Sequence, residues 1–196
     1  MKEMVGRAPP INRRHLSIYV LIFVVIPVIT YLVGRFVDRA LDLPAFPPFP
    51  WNLLLGSIVF VLGLTTGIKS TRLLYRLGEG LPWGEAHEGS RTRKLVTGEL
   101  YAYTRNPMVL GYSLLPCGMG IIFRSIGMAT SITIIVLAVN VAIVKFKEEP
   151  HLEERFGEAY QDYRRRTPFL IPRDPRFVKY LLTSLVKKEH NDGEIA

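Results

Sequence analysis

Two short polar stretches of the 196-residue chain combine side chains that could bind a small molecule. They contain Tyr101, Tyr103, Arg105, Asn106, Glu148 and Glu149. Arg105 supplies a fixed cation, Asn106 a donor and an acceptor, the glutamates acceptors for an amine or hydroxyls, and the tyrosines a stacking wall. Brought together, they would form a pocket for a polar, zwitterionic, adenosine-like ligand. As residue types alone, they are equally typical of side chains that reach towards water and form a surface ion pair.

Other catalytic arrangements are excluded by residue type and spacing. The four histidines are scattered without the spacing of metal ligands, and the single cysteine has no catalytic partner and no second cysteine for a disulfide. Gly78-Glu79-Gly80 is too short for a dinucleotide-binding fingerprint and follows a predicted helix, whereas a Rossmann loop follows a strand. The sequence therefore predicts no metal site, no catalytic triad and no Rossmann domain.

Four apolar blocks must position the polar stretches. Each block is free of charged residues over seventeen to twenty positions. The blocks are residues 16–34, 51–68, 107–123 and 125–144. At about 1.5 Å per residue, the first block would reach roughly 28 Å as a helix, close to the thickness of a hydrocarbon core. Lipid leaves exposed backbone groups unsatisfied, so the predicted fold class is all-α, a polytopic integral membrane protein with four transmembrane helices.

The net charge of +8 is distributed unevenly around these blocks. Of the 25 Lys and Arg residues, 22 lie in the N-terminal tail, between the second and third blocks, or after the fourth block. Only Arg35, Arg39 and Arg124 lie on the opposite side. The positive-inside rule then places both termini in the cytoplasm. Because the charge is spread over loops beside membrane helices, the sequence predicts no nucleic-acid binding.

The connections between blocks decide which polar stretches meet. Only Arg124 separates the third block from the fourth, so these helices should form a tight antiparallel hairpin with both polar stretches at its cytoplasmic end. Residues 35–50 contain four prolines, which is typical of a stiff spacer. Glycines in the second and third blocks favour close helix packing in lipid. They are Gly56, Gly63, Gly67, Gly111, Gly118 and Gly120.

Amphipathic helices are expected in the cytoplasmic segments. Leu152, Phe156, Tyr160 and Tyr163 recur at intervals of three and four residues among charged residues, which predicts one such helix. Residues 177–186, with basic residues at both ends, are typical of an interfacial helix. The chain thus divides into residues 1–68 (tail and first two transmembrane helices), 69–173 (catalytic core) and 174–196 (interfacial helix and disordered tail).

The polar stretches resemble the signatures of one superfamily, that of the isoprenylcysteine carboxyl methyltransferases and phospholipid methyltransferases. The chain resembles the first signature in Leu95-Val96-Thr97, Tyr101 and Arg105-Asn106-Pro107-Met108. It is similar to the second in Glu148-Glu149-Pro150, Leu152, Phe156-Gly157, Tyr160, Tyr163 and Ile171-Pro172. The resemblance covers residues 91–173 in order and at the family spacing.

The resemblance implies an integral membrane enzyme that uses S-adenosylmethionine without a Rossmann fold. It places the cofactor at the cytoplasmic mouth of the last two helices, with Arg105 and Glu149 as catalytic residues. The implied cofactor-binding residues are Arg93, Lys94, Leu95, Val96, Tyr101, Asn106, Pro107, Met108, Val109 and Glu148. The motif glycine falls one place early at Gly98, with Glu99 where glycine is usual, and Val109 replaces the usual tyrosine.

The implied reaction is methyl transfer to a lipophilic, membrane-embedded substrate at the cytoplasmic membrane face, on a carboxylate, an amine or a hydroxyl. Relatives that act on prenylcysteine place a carboxylate-binding arginine one helical turn before the glutamate pair, where this chain has Val144. Lys145 or Lys147 could substitute only as point charges, which disfavours a prenylcysteine substrate. A carboxylate would need no base, whereas an amine would need a proton acceptor, for which Glu148 or Glu149 is the candidate.

Two other functions remain open. Membrane sterol and steroid reductases have a related helical core and a similar R-H-P motif, but they use NADPH. Asn106 in place of the histidine and the Glu148-Glu149-Pro150 pattern favour methyl transfer. The third possibility is a non-catalytic membrane scaffold. The partners that the resemblance implies are the bilayer and a lipid or other lipophilic substrate, with no metal.

Overall fold

A computed structural model describes residues 24–79 and 92–186. Its α-helices within these ranges are α1 (Ile26–Ala40), α2 (Trp51–Gly78), α3 (Pro107–Ile122), α4 (Thr133–Ile143), α5 (Glu149–Arg166) and α6 (Arg176–Val186). A 3₁₀ turn, Glu99–Ala102, precedes α3, and the π-helical segments Met128–Ile132 and Val144–Glu148 flank α4. No strand occurs in these ranges, and the predicted all-α class is confirmed for them.

Two helices of the described chain are long and apolar enough to cross a membrane. One is α2, with 28 residues, and the other is the continuous helical run Met128–Arg166, with 39 residues. α3 is apolar but has only 16 residues, which corresponds to about 24 Å of helix. The predicted first span, residues 16–34, lies partly outside the described residues, and α1 contains its second half.

The predicted cytoplasmic helix after Pro150 is not a separate element. The Val144–Glu148 segment carries the fourth apolar block without a break into α5. Pro150 has no N–H to donate, and the wider π-helical turn just before it accommodates this loss. The helix is kinked further on, at Gly157, whose backbone angles (φ 50°, ψ −127°) are not helical.

Glycines let α2 and α3 pack with their backbones in contact, as predicted. A Cβ atom at Gly111 would lie 2.5 Å from the backbone nitrogen of Gly67, and one at Gly118 would lie 2.6 Å from that of Phe60. Real Cβ atoms do not approach other atoms this closely, so a larger residue would push the helices apart. α2 with α3 is the most extensive helix pair of the described chain, ahead of the predicted hairpin.

The predicted hairpin is also present. At its turn, the backbone N–H of Ser125 donates to the carbonyl of Gly120 at 2.8 Å. Arg124 in the same turn donates to the carbonyl oxygens of Ala45 and Pro47, both at 3.1 Å, and so fastens the proline-rich link to it. The start of α3 and the end of α4 lie at the other end of the hairpin, where they line one cleft.

α6 packs against the cleft end of the bundle. Its buried Phe177 and Leu181 form a small apolar cluster with the fully buried Leu100 of the 3₁₀ turn. Around the cluster pack Leu73, Tyr103, Leu110 and Tyr180. The hydroxyl of Tyr180 donates to Glu99 Oε2 at 2.6 Å. α6 therefore holds the 3₁₀ turn in place from outside the bundle.

Candidate active site

An open cleft lies where α3 begins and α4 ends. It is a shallow cleft, whose space of about 440 Å³ between atoms includes open solvent at its mouth. Its wall is formed by α2, the segment 92–96, the 3₁₀ turn, residues 105–106 just before α3, the π-helical segment after α4, and α5. The lining residues are Leu74, Thr92, Lys94, Leu95, Val96, Tyr101, Arg105, Asn106, Val144, Leu152, Tyr160 and Tyr163.

Arg105 and Glu149 form a buried ion pair beside the cleft. Arg105 Nη1 lies 2.6 Å from Glu149 Oε1 and 3.5 Å from the hydroxyl oxygen of Tyr160. The two charged side chains are only 10% and 8% exposed, so little water screens their attraction. The guanidinium also lies over the ring of Phe169, 5.5 Å from its centroid. The two polar stretches of the sequence therefore meet through a charge-assisted hydrogen bond.

The segment 104–106 is held by three residues from beyond α5, residues 168–170, here called the strap. The carbonyl oxygens of the strap accept hydrogen bonds from the backbone N–H of Arg105 (2.9 Å), the side-chain amide of Asn106 (2.9 Å) and the hydroxyl of Thr104 (2.8 Å). One N–H of Asn106 Nδ2 donates to the strap and fixes the orientation of the amide, which leaves Oδ1 as an acceptor for a ligand. The site thus offers a fixed acceptor at Asn106.

The segment 92–96 is fastened to α2 and α5. The backbone N–H groups of Arg93 and Lys94 donate to the last carbonyl of α2, that of Gly78, at 2.6 and 3.2 Å. The ammonium group of Lys94 lies 2.5 Å from Glu79, which lowers the pKa of that carboxyl below its usual value. Arg155 of α5 donates to the carbonyl of Thr92. This wall of the cleft is therefore held from two sides.

Tyr101 is a buried phenol at the inner end of the cleft. Its hydroxyl donates to the carbonyl of Ser70 at 3.3 Å, and its own carbonyl accepts a hydrogen bond from the Tyr163 hydroxyl at 2.7 Å. Burial raises the pKa of Tyr101 above its usual value, and the negative charge of Glu148 raises it further. Tyr101 therefore remains a neutral hydrogen-bonding group at physiological pH.

The cleft brings together part of the predicted set. Lys94, Leu95, Val96, Tyr101 and Asn106 line it, as does Arg105, with Glu149 directly behind. Arg93 is exposed and does not line the cleft, and Glu148 is half-buried beside it. Pro107, Met108 and Val109 are buried in the first turn of α3, where they pack inside the bundle and do not line the cleft.

Six lining residues are not among the predicted site residues. They are Leu74, Thr92, Val144, Leu152, Tyr160 and Tyr163. The two tyrosines carried a usable signal, because a phenol on the apolar face of a helix needs a hydrogen-bond partner when it is buried. For Leu74 the signal was the continuing helical spacing of leucines after the second apolar block. Thr92 carried no signal in the sequence.

Comparison with known proteins identifies one family model that matches the chain. A family model described as phospholipid methyltransferase matches residues 51–159, more than half of the chain. The matched range begins at the first residue of α2 and includes ten of the cleft's lining residues, all except Tyr160 and Tyr163. No curated protein and no solved structure matches this chain.

Proposed function

Because the chain belongs to the phospholipid methyltransferase family, we propose that it transfers a methyl group from S-adenosylmethionine to a lipophilic acceptor embedded in a membrane. The observation that carries the proposal is the cleft in which Arg105, Asn106 and Tyr101 meet beside the buried Glu149. This cleft lies at the end of helices that are apolar enough for lipid. In this proposal the methyl donor enters from water and the lipophilic acceptor enters between the helices.

The residues of the cleft fit a polar methyl donor with an adenosine part. Asn106 Oδ1 and the carbonyl groups of the segment 92–96 would accept hydrogen bonds from amino and hydroxyl groups, and Tyr101 offers a neutral polar contact. Arg93, Pro107, Met108 and Val109 would contribute through their backbone or by packing, because their side chains do not line the cleft. When bound, S-adenosylmethionine supplies a methyl group already activated by its positively charged sulfur.

The residues of the chain then bind the two substrates, orient them and exclude water. Leu74, Val96, Val144 and Leu152 give the cleft an apolar portion that keeps water away from the reacting groups. The Arg105–Glu149 ion pair fixes the start of α3 against α5 and so fixes the geometry in which the two substrates approach each other. No nucleophilic side chain is needed for direct transfer.

The acceptor atom decides whether a base is required. A carboxylate has no proton to lose, whereas an amine or a hydroxyl must pass a proton to the protein or to water. Glu148 and Glu149 are the candidate acceptors, and Glu149 is paired with Arg105. Both cations that line the cleft, Lys94 and Arg105, face a carboxylate, and Val144 is apolar. This charge balance favours an amine or hydroxyl acceptor over a carboxylate.

The proposed topology has four transmembrane helices, with both termini and the cleft on the cytoplasmic side. The positive-inside distribution of Lys and Arg supports it, and so does the position of Arg124 at the opposite end of the hairpin from the cleft. The NADPH-dependent reductase alternative gains no support from the family match.

Calorimetry on the purified protein in nanodiscs tests the proposal. S-adenosylmethionine should bind saturably to the wild type, more weakly to Glu148→Gln, and with unchanged affinity to Arg164→Ala, a variant of an exposed arginine paired with Glu153. NADPH should give no saturable heat. Absence of S-adenosylmethionine binding, or saturable binding of NADPH instead, would overturn it. Labelled methyl donor supplied to membranes with and without the protein would then reveal the lipid that accepts the label.

A further inference from the structure

α6 presents three different faces. Phe177 and Leu181, one turn apart, are 7% and 3% exposed and pack into the bundle. Val178 and Leu182 are also one turn apart, but they are 51% and 52% exposed. At roughly 100° per residue, Val178 lies about a quarter of the way around the helix from Phe177, and Lys179 lies a further quarter on. The order around the helix is therefore a bundle face, an exposed apolar face and a polar face.

The height of α6 along the bundle explains an exposed apolar face. Its buried side packs against Leu73 of α2 and Leu110 of α3. Leu110 lies in the first turn of α3, where the apolar helix begins, and Leu73 lies five residues after Ile68, the last residue of the apolar block in α2. α6 therefore runs across the boundary between the apolar part of the bundle and its charged end. Ile171, just before α6, is 74% exposed at the same boundary.

Basic residues surround this apolar face. Arg173 and Lys179 are exposed, and the exposed Arg176 forms its ion pair with Asp174 at 2.6 Å, beside the start of the helix. On the adjoining end of α2, Tyr75 is 66% exposed. Aromatic and basic side chains beside an apolar face are typical of helices that lie in the headgroup layer of a membrane.

α5 shows the contrast expected of a helix that faces water. Its exposed positions include Glu158, Gln161 and Arg165, and it buries Tyr160 and Tyr163. α5 thus has one apolar face, used inside the protein, whereas α6 has a second apolar face that nothing in the described chain covers. The exposed side of α5 is therefore polar, whereas the exposed side of α6 is partly apolar, although both helices come after α4 in the chain.

We propose that the exposed face of α6 binds a phospholipid bilayer surface that carries anionic lipids. Ile171, Val178 and Leu182 enter the acyl boundary, while Arg173 and Lys179 contact headgroup phosphates. Positive charge near the surface favours anionic over zwitterionic lipid. Because Tyr180 bonds Glu99 and the Tyr103 ring lies 5.9 Å from that of Phe177, this contact also steadies the 3₁₀ turn that carries Tyr101.

Site-directed labelling tests the position of α6. In a Cys117→Ser background, which removes the only native cysteine, Val178→Cys and Ala159→Cys are each labelled with a polarity-sensitive fluorophore and reconstituted into nanodiscs. Ala159 is the control because it is an exposed small residue on α5. The label at 178 should show blue-shifted emission and quenching by brominated lipid, and the label at 159 should be quenched by aqueous iodide instead.

A change of lipid composition tests the contribution of the basic residues, and it needs no fluorescent label. Nanodiscs of phosphatidylcholine with added phosphatidylglycerol should raise the thermal unfolding temperature of the wild type above its value in phosphatidylcholine alone. The double variant Arg173→Glu/Lys179→Glu should lose this gain, and Arg164→Glu/Arg165→Glu, with the same change in charge on α5, should retain it. Removing each basic contact should weaken the preference for anionic lipid roughly fivefold.

Three results would overturn the proposal. The first is a label at 178 that iodide quenches as readily as the label at 159. The second is a label at 178 shielded from both quenchers, which would mean that a protein partner or a second copy of the chain covers the face. The third is an equal response of the wild type and Arg173→Glu/Lys179→Glu to phosphatidylglycerol. None of these results depends on methyl transfer.

Discussion

Arg105 Nη1 and Glu149 Oε1 lie 2.6 Å apart although 44 residues separate the two in the chain. They belong to the two different arms of the hairpin formed by α3 and the helical run that contains α4, and both lie at the end opposite the turn at Arg124. The ion pair is nearly dry, since the side chains are 10% and 8% exposed. Its formation therefore requires that the intervening apolar helices have already folded back on each other.

Removal of both partners of this pair should cost less than the sum of the two single removals. Arg105→Ala or Glu149→Ala leaves one charge buried without a partner, which typically costs about 3–5 kcal/mol of stability. The double variant removes both charges and should be less destabilised than the sum of the single variants. Thermal unfolding of the four proteins in detergent measures this coupling. Strictly additive losses would show that the two side chains do not interact.

The side chain of Asn106 should contribute to cofactor affinity through its oxygen. Asn106→Leu removes both the hydrogen bond to the strap and the acceptor in the cleft, at about 1–3 kcal/mol, or roughly a fivefold to hundredfold loss of S-adenosylmethionine affinity. Asn140→Leu is the matched control, because the amide of Asn140 bonds only its own helix, to the carbonyl of Val136 at 2.8 Å. Calorimetry should find equal affinity in Asn140→Leu and wild type, and a similar loss in both variants would contradict a local role for Asn106.

Gly111→Ala should destabilise the protein by overpacking. The added methyl would lie 2.5 Å from the backbone nitrogen of Gly67, so α2 and α3 would have to separate, at about 1–3 kcal/mol. Gly98→Ala makes the same chemical change where no atom lies within 4 Å of the new Cβ. Thermal unfolding should distinguish the two variants. Equal melting temperatures would mean that α2 and α3 do not touch at Gly111.

The stability contributed by Tyr101 should fall in alkaline solution. Its pKa in the folded protein is raised by burial, whereas an unfolded tyrosine ionises near pH 10. A raised pKa gives stability that is fully present below about pH 10 and is lost as the pH rises further. Tyr101→Phe should therefore lose less stability than the wild type above about pH 10. Tyr75→Phe, at a 66% exposed position, is the control that should behave as the wild type does.

The all-α class and the first residues of α2 and α3 were predictable because long uncharged apolar runs favour helices, whereas the four-span topology remains a prediction. The meeting of Arg105 with Glu149 was predictable for a related reason, since a one-residue turn at Arg124 forces the two helix ends together. The roles of the ten predicted cofactor contacts remain predictions, as does the division at residues 68 and 173.

Other features of the structure depended on how the helices fit together in three dimensions, and the order of residue types along the chain does not show this. That α2 is the principal partner of α3 follows from matched glycines at Gly67 and Gly111, and several pairings of the four blocks were compatible with the sequence. The continuation through Pro150 depended on a π-helical turn that residue propensities do not indicate. The strap was missed because its bonds use backbone carbonyl groups, which every residue possesses.

The strap is synthesised after the helices whose ends it holds together. Its carbonyl oxygens orient Asn106 and hold the backbone of Arg105, and they belong to residues 168–170, which leave the ribosome after every membrane helix. A nascent chain that has already inserted α2, α3 and α4 still lacks the residues that orient Asn106 beside the cleft. Under the proposed function, assembly in the bilayer would precede the capacity to bind the methyl donor, and a chain released early would be an inserted but inactive protein.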